Sequence, residues 1–256
     1  MDDNRPTGEE SSVLPTVAAW EKSMSARCCL MILCAMLAMP GRLSADEGVK
    51  ELFNGKDLTG WKGNPELWSV KDGCITGTVG NVPLKFNTFL VWQEGEVANF
   101  ELELDYKMVG NNSGVQYRSK LIDAEKFIVG GYQADIDTSK DGKPPRYSGI
   151  NYEEKGRGIL AERGQRTTIS SDGKKHPEQF AASEDLAKHI KVEDWNHYKI
   201  VAKGNVLSHY INGQLMTEVI DNQTEKAATK GVLAFQIHVG PPMVVQFKNV
   251  RLKELK

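Results

Sequence analysis

Hydrophobic and polar residues alternate with a period of two along much of this chain. The clearest case is 100–106, where Phe100, Leu102, Leu104 and Tyr106 are separated by acidic residues. Such alternation places successive side chains on opposite faces of a β-strand. The segment therefore predicts a strand with one face in the core. By the same pattern, further strands are predicted at 114–119, 132–136, 195–203, 206–211, 214–219, 231–239 and 243–252.

Short turn signals separate these segments. Asp-Gly at 72–73, Gly-Asn at 204–205 and Asn-Gly at 212–213 predict tight hairpins. Only 177–190 predicts a short helix, and 137–166, rich in Gly, Lys, Arg and Pro, predicts a long functional loop. Many strands at regular spacing indicate an all-β fold, a sandwich or jelly roll of two antiparallel sheets, rather than alternating α/β units.

Three predicted strands carry an unusual set of polar side chains. Each has two of them spaced by two residues, so that both lie on one face: Gln116 with Arg118, Gln133 with Asp135, and Gln236 with His238. Amides, a guanidinium, a carboxylate and an imidazole are suited to holding a polyhydroxylated ligand. If the three strands share a sheet, these six side chains converge in a polar groove.

The first 45 residues predict a signal peptide. An apolar run at 28–39 follows Arg27 and precedes a small residue, Ala45. A dozen apolar residues are too few to span a bilayer, which takes about 20, but they suit a signal-peptide core. Acidic residues before Met24 are atypical of a leader, so translation is predicted to start at Met24. The remaining residues, 46–256, then form one exported domain, periplasmic or extracellular, with no stable membrane insertion.

Composition narrows the partners of that domain. Removing the leader takes five of 34 acidic and four of 32 basic residues, which leaves 29 acids and 28 bases. A net charge of −1 lacks the excess of basic residues that is typical of nucleic-acid-binding domains. Of the four cysteines only Cys74 remains, so no internal disulfide is predicted and the core alone must stabilise the fold. A neutral partner such as a sugar is the better expectation.

A series of ordered motifs resembles a known family. The motifs are LFNGKDLTGW at 52–61, WSVKDG at 68–73, NSGVQYR at 112–118, YQAD at 132–135, DWN at 194–196, ING at 211–213, and QIH at 236–238 with FKNV at 247–250. In this order they resemble the 3-keto-disaccharide hydrolase domain family over roughly residues 48–255. The resemblance implies a concanavalin A-like jelly roll and an exported enzyme that cleaves 3-keto glycosides, by hydrolysis or by 1,2-elimination with hydration. Ile237 stands where many members have an acidic residue.

That chemistry assigns roles to the polar side chains. A ketone at C3 acidifies the C2 hydrogen, so the reaction needs a base, a cation facing the enolate oxygen and a proton donor for the leaving group. We expect His238 as the base, Arg118 at the enolate oxygen, and Asp135 to orient His238 or act as acid–base itself. The predicted substrate-binding residues are Asn112, Gln116, Gln133, Tyr152, Arg157 and Gln236.

Other interpretations of these residues stay open. His238 would also fit a structural histidine, and Asp135 with Arg118 an ion pair between neighbouring strands. No cofactor is predicted with certainty; a divalent metal at His238 and Asp135 is an alternative without diagnostic ligand spacing. For the whole chain, the alternative to an enzyme is a non-catalytic, lectin-like sugar-binding module, since this fold serves both functions.

Overall fold

The structure, a computed structural model, describes residues 48–81, 84–138 and 143–256. The predicted signal peptide at 1–45 and the start at Met24 lie outside the described residues and stay predictions. The described elements are, in chain order, β1 Val49–Glu51, β2 Trp61–Lys62, β3 Trp68–Lys71, β4 Cys74–Val79, β5 Thr88–Trp92, β6 Phe100–Val109, β7 Asn112–Asp123, β8 Ile128–Asp137, β9 Asn151–Glu154, β10 Gly158–Ala161, β11 Gln165–Ile169, β12 Lys175–Gln179, α1 Ser183–Ala187, β13 Asn196–Lys203, β14 Val206–Ile211, β15 Gln214–Asp221, β16 Val232–Ile237 and β17 Met243–Glu254.

These strands form two sheets, which confirms the predicted all-β class. One has the order β12-β11-β15-β14-β13-β6-β17-β4-β3, with β1 also beside β17. The other has seven strands in the order β10-β9-β8-β7-β16-β5-β2. The strands with the paired polar residues, β7, β8 and β16, are therefore neighbours in the seven-stranded sheet.

The core lies between the two sheets. Phe235 of β16 stacks on Phe247 of β17 with ring centroids 4.0 Å apart, and Trp61 of β2 stacks on Phe235 at 4.8 Å. In β6, Phe100, Leu102, Leu104 and Tyr106 are all buried, as the alternation predicted. Burial of large apolar side chains is the main stabilising contribution in a domain that has no disulfide among its described residues.

Three expectations from the sequence need correction. The predicted helix at 177–190 is only five residues, Ser183–Ala187, and Pro177 lies in β12 instead. Pro177 fits there because β12 is an edge strand, where a missing N–H costs little. The predicted loop at 137–166 contains β9 and β10. Finally, the β11–β15 pair is parallel, whereas all sheet pairs were expected to be antiparallel.

The same alternation decides which side chains leave the core. In β7, Val115 and Tyr117 belong to the core cluster between the sheets, so Gln116 points to the outer face of the seven-stranded sheet. Phe235 and Ile237 in β16 place Gln236 on that outer face as well. No helix within the described part of the chain has the length and apolar character to cross a membrane.

Candidate functional site

A groove of about 1460 Å3 lies along the outer face of the seven-stranded sheet and the loop that joins β8 to β9. It is larger than the roughly 300–1,000 Å3 typical of small-ligand pockets. Five of the predicted site residues line it together: Asn112, Gln133, Asp135, Tyr152 and His238. The structure thus brings His238, the expected base, into one groove with Asp135, which was expected to orient it or to act as acid–base itself.

Gly114 leaves space for the side-chain amide of Gln133, which lies in the groove. Gly114 pairs with Asp135 across β7 and β8, and Gln116 pairs with Gln133 two residues further along the strands. A Cβ atom on Gly114 would lie 2.6 Å from the Cγ and Cδ atoms of Gln133. The Gln133 side chain therefore lies directly over the glycine backbone, where any other residue would displace it.

Four side chains form a hydrogen-bonded relay that ends on Asp135. Ser119 Oγ donates to Gln116 Oε1 at 2.6 Å, and Gln116 Nε2 donates to Gln133 Oε1 at 2.6 Å. Gln133 Nε2 then donates to Asp135 Oδ1. Every donor points the same way, so the relay holds Oδ1 as an acceptor and leaves Oδ2 as the oxygen that can carry a proton.

The environment of Asp135 favours its protonated form. Burial raises the pKa of Asp135 well above the usual range for aspartate. The hydrogen bond from Gln133 lowers this pKa, whereas the nearby Asp137 and Glu154 carboxylates raise it further. A carboxyl group that keeps its proton can act as an acid near neutral pH.

His238 follows the last residue of β16 and is half-buried on the groove wall. Its Nδ1 lies 2.5 Å from the backbone oxygen of Val239. A carbonyl oxygen accepts only, so Nδ1 carries the hydrogen, and in the neutral ring Nε2 is left with a lone pair. This tautomer is the one a general base requires.

The structure places Arg118 away from the groove, contrary to expectation. Between Tyr117 and Lys120 the β7–β8 register shifts, and Arg118 has a left-handed φ of 47°. This β-bulge turns the side chain off the face that Gln116 occupies. The guanidinium instead donates to the backbone oxygens of Ala98 at 2.6 Å and Gly204 at 2.7 Å. Arg118 is therefore not positioned to face an enolate oxygen in the groove, and it forms no ion pair with Asp135.

Three other predicted binding residues also lie outside the groove lining. Gln116 and Gln236 are fully buried beneath it. Gln236 Oε1 is 3.5 Å from Gln133 Nε2, and the Gln236 amide nitrogen has no partner among the described residues. Arg157 forms a buried ion pair with both Asp221 oxygens, at 2.6 and 3.1 Å. Its guanidinium therefore joins β15 of the other sheet rather than reaching a sugar.

Two asparagines that were not predicted as site residues hold the His238 segment. Asn111 Nδ2 donates to the backbone oxygens of His238, Val239 and Pro241, each at 3.2 Å. Asn87 accepts from the Val239 N–H at 2.9 Å and donates to Glu154 at 3.2 Å. Both line the groove. The only signal in the sequence was the Gly-Asn pair at 110–111, which is typical of a left-handed turn.

A divalent metal at His238 and Asp135 was the alternative to chemistry by side chains. In the described part of the chain, no three His, Cys, Asp or Glu side chains are grouped so that they could hold an ion. The acidic stripe of β6 is paired instead: Glu101 with Lys199 at 2.9 Å, and Asp105 with His197 at 3.0 Å.

Comparisons with solved structures show the fold. Two structures from Parabacteroides distasonis, provisionally described as glycosyl hydrolases, are each 23% identical with a TM-score of 0.52; the matches cover 81% and 82% of this chain and 99% and 95% of theirs. A Bacillus subtilis protein of unknown function with a galectin-like fold is 12% identical with a TM-score of 0.50, over 80% of this chain and 94% of that one. At these identities the likeness concerns the fold alone.

Comparison with protein families is more specific. No curated protein matches this chain. The model of the 3-keto-alpha-glucoside-1,2-lyase-like domain matches residues 48–253, which contain every groove residue described above. A match of this extent confirms the resemblance seen in the ordered motifs. The chain belongs to the 3-keto-alpha-glucoside-1,2-lyase-like family.

Proposed function

We propose that this protein cleaves the glycosidic bond of 3-keto glycosides by 1,2-elimination followed by hydration. The observation that carries the proposal is the pairing, in one groove, of the His238 imidazole with a lone pair on Nε2 and the buried Asp135 carboxyl with a raised pKa. Membership in a carbohydrate-active family supports it.

The first step removes the C2 proton. The C3 ketone delocalises the resulting carbanion as an enolate, so a base of near-neutral pKa suffices. His238 Nε2 takes this proton, while the bond from Nδ1 to the Val239 oxygen fixes the ring and its tautomer. With Arg118 outside the groove, the Asn112 amide and the Tyr152 hydroxyl are the donors we assign to the enolate oxygen.

The second step breaks the bond between C1 and the glycosidic oxygen. The enolate electron pair forms a C1–C2 double bond and expels that oxygen, which takes a proton from Asp135 Oδ2. In the hydration, the water oxygen adds to C1 and gives a proton to the Asp135 carboxylate, while His238 returns a proton to C2. Both groups regain their starting states, and the net reaction is hydrolysis. The relay through Gln133 orients the acid throughout.

Turnover in deuterated water tests this function. Methyl 3-keto-glucoside is incubated with the purified protein, with and without added divalent metal, and the products are identified by NMR. We expect release of methanol and deuterium at C2 of the 3-keto sugar. Because that C2 position exchanges slowly on its own, a matched incubation without protein sets the background. Release without C2 deuterium would show direct hydrolysis, and binding of glycosides without release would indicate the lectin-like module.

A further inference from the structure

Tyr147 is a large exposed aromatic on the groove wall. It lies in the loop between β8 and β9, lines the groove, and has 43% of its surface exposed. Because the ring is exposed, its outer surface contributes little to the stability of the fold. A flat ring with a hydroxyl edge is suited to contact with a ligand that has apolar faces and polar rims. Sugar rings have this character.

The chain on both sides of Tyr147 is held by hydrogen bonds from Asp137 and Arg163. Asp137 accepts from the backbone N–H of Arg146 at 2.8 Å and from that of Ser148 at 2.6 Å. Arg163, buried below the loop, donates to the backbone oxygens of Pro145 at 2.9 Å and Ser148 at 2.7 Å. The exposed ring is therefore presented from a fixed backbone, which lowers the entropy cost of binding.

Arg146 supports the ring itself. The guanidinium carbon of Arg146 lies over the Tyr147 ring, 5.3 Å from its centroid. Both terminal nitrogens of Arg146 donate to Glu162, at 2.7 and 2.9 Å, so the guanidinium is locked in place. Together, Tyr147, Arg146 and Glu162 form what we term the Tyr147 platform.

The charges around the platform favour a neutral ligand. The groove lining contains five carboxyl groups, from Asp135, Asp137, Glu154, Glu162 and Glu184, against three bases, Lys143, Arg146 and Arg163. Both arginines are already engaged, Arg146 by Glu162 and Arg163 by three backbone oxygens. A uronate or phosphate would therefore meet carboxylates here without an arginine fork to hold it.

We propose that the Tyr147 platform is an aglycone subsite that holds a neutral second sugar ring, joined to the ring held at Asp135 and His238. The groove volume of about 1460 Å3 has room for more than one ring. Tyr147 is then the residue that selects the aglycone, favouring a neutral second ring over a methyl group or an acidic ring. This inference rests on the proposed function and deepens it.

Kinetics on two substrates tests the subsite. The kcat/KM values of the wild type, Tyr147→Ala and Tyr147→Phe are compared on a 3-keto glucose disaccharide and on methyl 3-keto-glucoside. We expect Tyr147→Ala to lower the disaccharide value about 10-fold more than the methyl glycoside value, as loss of about 1.4 kcal/mol of ring contact implies. Tyr147→Phe retains the ring and most of the preference. Equal effects of Tyr147→Ala on both substrates would overturn the subsite.

A matched control separates the subsite from general damage. Tyr210 is a half-buried tyrosine of β14, in the other sheet and outside the groove lining. Tyr210→Ala is expected to leave the ratio of the two kcat/KM values unchanged. An acidic disaccharide with a uronate aglycone completes the set: if it is turned over better than the neutral one, the neutral-ligand assignment is wrong.

Binding of an unoxidised glucose disaccharide tests the subsite without catalysis. In saturation-transfer NMR, both sugar rings should receive saturation from the wild type, and one ring should lose it in Tyr147→Ala. This result would support the subsite even if no 3-keto glycoside were turned over, in which case only the proposed function would fail. Saturation of a single ring by the wild type, or a pattern unchanged in Tyr147→Ala, would overturn the subsite instead.

Discussion

The two residues proposed as acid and base, Asp135 and His238, lie in different environments. Asp135 is 5% exposed and receives a hydrogen bond from Gln133. His238 is half-buried just after a strand, and among the described residues its imidazole is hydrogen-bonded to the carbonyl of Val239 alone. Burial disfavours the charged carboxylate, so the acid keeps its proton, while partial exposure leaves the imidazole accessible to substrate. The difference in environment therefore assigns acid and base in the proposed reaction.

Replacing the base is expected to abolish most turnover without loss of the fold. His238→Ala should lower kcat on a 3-keto glycoside by about 10²-fold or more, the scale of a lost general base. Among the described residues its side chain has one hydrogen bond, to the Val239 oxygen, so the melting temperature should change little. His197→Ala is the control, because His197 lies on the other sheet and bonds Asp105. Activity of His238→Ala close to that of His197→Ala would contradict the assignment.

At the level of secondary-structure elements, the site depends both on local alternation within strands and on contacts between residues far apart in the sequence. The period of two predicted the strands, and the neighbouring placement of β7, β8 and β16 brought Gln133, Asp135 and His238 into one groove. The β-bulge at Arg118 was beyond the sequence pattern, because it depends on contacts with the backbone of Ala98 and Gly204 far along the chain. Likewise, Arg157 was predicted to contact the sugar because its ion-pair partner, Asp221, is 64 residues away and could not be identified from the sequence.

Gly114 offers a test of how the β7–β8 pair supports the acid. Gly114→Ala would place a methyl group 2.6 Å from Gln133 Cγ and Cδ, so the Gln133 side chain must move and release Asp135. Because the hydrogen bond from Gln133 lowers the Asp135 pKa, its loss should raise that pKa further. Carbon-13 NMR titration of the aspartate carboxyl groups measures the shift, and kcat should fall with it.

Gly80→Ala provides the matched control for that substitution. A Cβ atom on Gly80 would meet no atom within 4 Å, and Gly80 is not among the described glycines with positive φ. Gly80→Ala should therefore leave the Asp135 titration and turnover as in the wild type. If Gly114→Ala lowers stability but leaves the Asp135 pKa unchanged, the relay does not control the acid.

At the scale of the whole molecule, a buried polar cluster joins the two sheets. His209 of β14 accepts a hydrogen bond at Nε2 from the Tyr117 hydroxyl of β7 at 2.9 Å, and its Nδ1 lies 3.2 Å from the Ile150 oxygen. Asn151 of β9 donates to the Tyr117 hydroxyl at 3.0 Å. His209 is fully buried, at 0% exposure, so it is a structural residue of the core.

This cluster predicts that stability depends on pH through His209. Burial lowers the pKa of His209 to about 3 in the folded protein, whereas an unfolded histidine titrates near 6.5. As the pH falls below about 6.5, the unfolded chain binds a proton that the folded protein does not, so stability is lost progressively down to about pH 3. At about 1.4 kcal/mol per pKa unit, the full effect is on the order of 4 to 5 kcal/mol.

Urea unfolding at a series of pH values from 8 to 4 measures the loss of unfolding free energy. Comparison with His209→Gln isolates the part of that loss that is due to His209. Asp135 acts in the opposite direction, since its raised folded pKa adds stability as the pH falls, but it is common to wild type and variant. The wild type should therefore lose more free energy of unfolding between pH 7 and pH 5 than His209→Gln, even if that variant is less stable throughout. His189→Gln, at an exposed position, should follow the wild type. Parallel curves for wild type and His209→Gln would show that His209 takes up its proton alike in the folded and unfolded protein, and the buried neutral imidazole between the sheets would have to be abandoned.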